Sequence, residues 1–171
     1  MTRFVAFLRA VSPMNAKMLQ VKAAFELAGF TNVRTILSSG NVAFDSDLTE
    51  ECEIERRSEE AMSAQLGRSF HTIVRASNDL HTLLDMNPYA AYGIPSNAKR
   101  VITFMRAPCE PRVGLPLAKD LASVFLLTER EAFTAYIPTD KGPVFMALIE
   151  RAFGKEVTTR TVETVAKCAA A

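Results

Sequence analysis

The sequence predicts an α+β fold: a β-α-β-β-α-β unit of the ferredoxin-like (alpha-beta plait) type, followed by a second lobe that partly repeats it. Three observations carry this expectation. Between Arg3 and Arg75 the apolar residues switch from short strand-like runs to helical spacing and back, in that order. Gly29 and Gly67 stand just past the two helical stretches, where helices commonly stop. Ser38-Ser39-Gly40 separates two strand-like runs without room for a helix.

Arg3–Arg9 is rich in Phe and Val and reads as a strand buried on both faces. Ser12-Pro13-Met14-Asn15 is a turn. From Lys17 to Ala28, Met18, Val21, Phe25 and Ala28 recur at three- and four-residue spacing and mark a helix. Val33–Leu37 and Asn41–Phe44 follow as strands. Thr49–Leu66 is the second helix, with Ile54, Ala61, Met62 and Leu66 toward the core. Its early glutamates suit the helix dipole, and the run Glu50 to Glu55 reads as a solvated face. Ser69–Arg75 is the fourth strand.

The second half predicts a short helix over Asn78–Asp85 and a Pro/Gly/Asn-rich connection over Tyr89–Ala98. Then come a strand over Arg100–Arg106, a helix over Leu115–Ala122, and strands over Ser123–Thr128 and Ala132–Pro138. Helices over Pro143–Phe153 and Thr161–Ala169 close the chain, and a last strand is either missing or confined to Val157–Thr159. The expected division is 1–78 and 79–171.

The composition excludes several classes of function. A hydrophobic share of 49% supports a packed core, yet no apolar run is long enough to span a bilayer. The N-terminal apolar run is broken at Arg9 and lacks a signal peptide's shape, so a cytoplasmic setting is expected. Basic and acidic residues balance to +1, without the basic excess of a nucleic-acid footprint. Phe4 and Phe7 could be compared with the base-stacking aromatics of RNA-recognition domains. Asn41-Val42-Ala43-Phe44, however, lacks the basic-Gly-aromatic signature, and nucleic acid is not an expected partner. Cys52, Cys109 and Cys168 are widely spaced free thiols, with Cys52 expected in buried packing. His71 and His81 have no ligand partners at metal-binding spacing, so neither metal nor cofactor is expected.

Five polar residues at the ends of apolar elements form the expected ligand site: Arg9, Ser39, Asn41, Lys141 and Arg160. Ser38-Ser39-Gly40-Asn41 offers hydroxyls, an amide and backbone N–H groups to an anion, although turn chemistry alone also explains these residue types. Asp140-Lys141-Gly142-Pro143 opens a helix whose N-terminus and lysine suit a phosphate or carboxylate; the plainer reading is an ordinary helix start with Asp140 near the cap.

Several segments together resemble a known family. Phe4-Val5-Ala6-Phe7-Leu8-Arg9-Ala10, Ala28-Gly29-Phe30-Thr31-Asn32-Val33-Arg34-Thr35 and Ser39-Gly40-Asn41-Val42-Ala43-Phe44 resemble the N-terminal signature of the bacterial family DUF1697. Asn87-Pro88-Tyr89 and the stretch from Ala147 through Gly154 to Thr159-Arg160 resemble its C-terminal half. The resemblance implies two ferredoxin-like lobes and no defined activity. Two segments depart from the family pattern. Val11-Ser12-Pro13-Met14-Asn15 is shorter than a loop that usually holds a Gly-Gly pair and basic residues. Arg160-Thr161-Val162-Glu163-Thr164 stands where Arg-Asn-Trp-Asn-Thr is usual.

The leading functional expectation is binding of a small molecule or anion in a cleft between the two lobes. The alternatives are an enzyme acting on a phosphorylated or acidic metabolite, for which no acid–base pair can be named, and a protein-interaction module.

Overall fold

A computed structural model describes all residues, Met1–Ala171, as a mixed α+β chain with two antiparallel sheets. It divides into two compact units, Met1–Leu83 with Val165–Ala171, and Leu84–Thr164.

In the first unit the elements are β1 (Thr2–Leu8), α1 (Met18–Leu27), β2 (Thr31–Ile36), β3 (Asn41–Ser46), α2 (Glu51–Leu66), β4 (Thr72–Ala76) and α3 (Ser77–Met86, extending just past the unit's end). The strand order is β2-β3-β1-β4, with every neighbouring pair antiparallel. Side chains alternate across a strand, so Phe4, Ala6, Leu8, Val42, Phe44 and Val74 share one face. They pack with Val21 and Phe25 of α1 and Ile54 and Met62 of α2 in one core. Phe25, Phe30 and Phe44 meet there with ring centroids 4.6–5.8 Å apart. Phe4 and Phe7 are both buried, so neither offers a face to a base. At the strand ends Arg3 donates to Asp45 at 3.0 Å and to the Ala171 carbonyl at 2.9 Å, tying the C-terminus to this unit. Burial alone would push the Asp45 carboxyl up. Hydrogen bonds from Asn32 and Arg3, with the Arg3 charge, outweigh it and hold the group below its ordinary value. A depressed folded-state value means that this pair contributes stability above the unfolded carboxyl pKa and loses it as pH falls through the folded one.

β4 is an edge strand, and α2 covers its edge with carboxylates. Glu51, Glu55 and Glu59 recur every four residues and so line one face of the helix. Glu59 accepts from the Thr72 N–H at 2.9 Å, and Glu55 accepts from the Val74 N–H at 3.0 Å. Glu51 lies 3.8 Å from the Arg75 guanidinium, itself only 2% exposed. Outward N–H groups that could pair with another strand are thus occupied. This corrects the expectation of a solvated acidic face, since Glu55 is buried. The cysteine expectation is corrected too: Cys52 is exposed and Cys168 buried. Cys52 lies two residues from Ile54, on the far side of the helix from the core.

The second unit holds α4 (Pro88–Ala91), β5 (Lys99–Met105), β6 (Leu117–Lys119), β7 (Ala122–Leu127), β8 (Glu131–Tyr136), α5 (Val144–Phe153) and β9 (Val157–Thr161). The terminal helix α6 spans Val162–Ala169. The sheet order is β6-β7-β8-β5-β9. The final strand left open by the sequence therefore exists, pairing with β5 from Val101↔Thr161 to Met105↔Val157.

The helix expected over Leu115–Ala122 is absent. In its place β6 and β7 form a hairpin, with Lys119 paired to Ala122 across Asp120 and Leu121 at φ 46° and 65°. Asp120 and Leu121, both left-handed, are incompatible with a right-handed helix there and make the tight turn. Nor is Tyr89 part of a free connection. It is buried, its hydroxyl donates to the Val101 carbonyl at 2.8 Å, and its ring meets Phe125 and Phe133 edge-on. Burial pushes its phenol well above the ordinary value.

α5 lays Leu148, Ile149, Ala152 and Phe153 on Met105, Ala122, Val124, Ala132 and Val157. Two threonines break the apolar character of this sheet: Thr103 and Thr134 have no exposed surface, and neither hydroxyl has a hydrogen-bond partner. A buried unsatisfied hydroxyl costs free energy that an isosteric methyl does not. Thr103→Val is expected to raise unfolding stability by about 1 kcal/mol. A lower urea midpoint in that variant would contradict this account of the core.

Candidate functional site

The structure places the five expected residues in two groups. In the first unit, Arg9 is half-exposed at the end of β1, and its backbone N–H donates to the His71 carbonyl at 2.9 Å. Ser39 is exposed in the β2–β3 turn. Asn41 is fully buried, and its amide nitrogen donates to the Ile36 carbonyl at 2.9 Å and to Ser39 Oγ at 3.1 Å. Those bonds close the hairpin, so the Asn41 side chain is committed to the turn.

In the second unit, Arg160 on β9 folds back along its own strand, donating to Thr158 Oγ1 and to the Thr159 carbonyl at 2.8 Å each. Lys141 stands exposed before α5, with its ammonium 3.1 Å from Asp120 Oδ1 in the β6–β7 turn. Asp140 does not cap α5. The N-cap is Pro143, and no side chain bonds the helix start.

Of the five expected residues, Lys141 lines a groove along α5. A cavity of about 320 Å³ lies along the start of α5, lined by Lys119, Asp120, Lys141, Pro143, Val144, Ala147, Leu148 and Arg151. Each element contributes for a local reason. The tight β6–β7 turn sets Lys119 and Asp120 side by side. Val144, Ala147, Leu148 and Arg151 recur at three- and four-residue spacing and share one face of α5. Three cations against one carboxylate leave a net charge of +2 around the groove, in a chain whose total is +1. The N-terminus of α5 adds the positive end of its dipole. Chemically the arrangement can hold an anion by charge and hydrogen bonding. Sequence reading reached Lys141 through its loop but missed Lys119 and Arg151, which lie on a hairpin and a helix.

A second cavity of about 220 Å³ adjoins the first, sharing Asp120, Pro143 and Val144 and adding Ala122, Tyr136, Ile137 and Phe145 among its walls. The Tyr136 and Phe145 rings stack with centroids 4.1 Å apart and planes 7° from parallel.

No group of three or more His, Cys, Asp or Glu side chains is placed to hold a metal ion. No helix is long and apolar enough to cross a membrane.

Comparison with known proteins gives one family and one fold. The family model for "Protein of unknown function (DUF1697)" matches residues 1–133. No curated protein matches. Among solved structures, the conserved bacterial protein SP0830 from Streptococcus pneumoniae aligns with a TM-score of 0.74 at 15% identity, over 99% of this chain and 97% of that one. At that identity the likeness shows the mixed α+β fold alone.

Proposed function

The chain belongs to DUF1697, a family of proteins of unknown function, and from that premise we propose that it binds small anions in the groove at the start of α5. One observation carries the reading: Lys119, Lys141 and Arg151 converge on a single concave surface with Asp120 as the only carboxylate among them. Lys119 and Lys141 are compact point charges, and Arg151 can present two parallel N–H donors to a phosphate or carboxylate. We also read the first unit as a ferredoxin-like plait; the strand order β2-β3-β1-β4 and the order of its elements support that finer assignment.

Because these cations are exposed, binding of a bare ion is expected to be weak and salt-sensitive. Calorimetric titration with inorganic phosphate at low ionic strength is expected to give a dissociation constant of about 1 mM, near −4 kcal/mol. The Lys141→Ala/Arg151→Ala double variant should weaken it at least tenfold. Unchanged affinity in that variant, or no phosphate binding at all, would refute the site.

A further inference from the structure

Resting on the anion reading above, we propose that the natural ligand is an organic anion carrying a flat apolar group, such as an aryl phosphate or carboxylate. Its charged head would sit among Lys119, Lys141 and Arg151, and its apolar tail in the adjoining cavity. The two cavities are neighbours, since Asp120, Pro143 and Val144 line both. They differ in their charged and aromatic groups. The first holds the cations, whereas the second is walled mainly by Ala122, Ile137, Pro138, Val144 and the stacked Tyr136–Phe145 pair. Inorganic phosphate alone would leave the Tyr136–Phe145 wall of the second cavity unused. Its volume of about 220 Å³ suffices for a ring, because an apolar cavity of about 150 Å³ holds benzene. Desolvating a flat group there adds affinity that a bare ion cannot gain.

The Asp120–Lys141 pair stands at the boundary of the two cavities, 3.1 Å between charged atoms. A ligand head would have to compete with Asp120 for Lys141. Removing the competing charge therefore strengthens binding: Asp120→Asn is expected to bind the organic anion more tightly than the parent protein.

Calorimetry with three probes tests the proposal: inorganic phosphate, phenyl phosphate and neutral benzyl alcohol. Phenyl phosphate is expected to bind at least tenfold more tightly than phosphate, a gain of about 1.4 kcal/mol. Benzyl alcohol should bind more weakly than phenyl phosphate. Phe145→Ala should erase the phenyl gain and leave phosphate affinity unchanged. Ile137→Ser, at another residue of the same lining, should reduce that gain where Phe145→Ala fails to fold. Equal affinity for phosphate and phenyl phosphate in the parent protein would overturn the apolar-tail inference and leave the anion site standing. Silence from both phosphates would overturn both readings. Benzyl alcohol binding as tightly as phenyl phosphate would overturn the charged-head assignment.

Discussion

Gly40→Ala is expected to destabilise the first unit by about 3 kcal/mol, from two costs that add. Gly40 sits at φ +81°, where an L side chain costs about 1–2 kcal/mol. A Cβ there would also stand 2.8 Å from Val11 Cβ and 3.0 Å from Leu8 Cβ, an overpacking cost of about 1–3 kcal/mol. The backbone cannot retreat, because the Gly40 carbonyl accepts from the Leu8 N–H at 2.8 Å. Gly67 separates the two costs. It also has positive φ, +71°, but its Cβ would meet nothing within 4 Å. Gly67→Ala should therefore cost only about 1 kcal/mol. Urea denaturation of both variants checks the prediction, and equal midpoints would contradict the close-packing argument.

Glu55→Ala is the second large effect expected. It removes the carboxylate that accepts from the Val74 N–H and leaves a buried edge donor without its partner. The loss should be about 2–4 kcal/mol. Glu55→Gln, which keeps an acceptor oxygen, should recover part of it. The alanine variant should also self-associate, because the bared edge of β4 can pair with another copy. Equilibrium unfolding reads the first effect and sedimentation velocity the second. A monomeric Glu55→Ala protein of parental stability would show that the carboxylates do not guard the edge. Because Glu51 and Glu59 of α2 contact the same strand β4, changes at these glutamates are not expected to add.

The elements most legible in the sequence were those with a strong period. Val21 and Phe25 in α1, Ile54 and Met62 in α2, and Leu148 and Ala152 in α5 all face the core as their spacing implies. The β6–β7 hairpin was not legible, because its turn uses Asp120-Leu121 rather than a glycine pair. The acidic run of α2 misled for a different reason. Helical spacing shows which residues share a face, but only the tertiary fold brings Thr72 and Val74 against that face. A signal was nevertheless present: Glu51, Glu55 and Glu59 repeat every four residues beside the core positions Ile54, Ser58 and Met62. The candidate site was legible only at Lys141, which stands in the loop leading into a helix. Lys119 and Arg151 are ordinary basic residues in one dimension, and the folding of a hairpin against a helix makes them neighbours of one groove. Arg9, Ser39, Asn41 and Arg160 share the same element-end character without lining that groove.

Backbone NMR titration with phenyl phosphate locates the bound anion residue by residue. Saturating shifts centred on Lys119, Asp120, Lys141 and Arg151, together with Tyr136 and Phe145, are the predicted result. Shifts centred instead on Arg9 and the Ser38–Asn41 turn, or none up to about ten times the expected dissociation constant of about 0.1 mM, would contradict it.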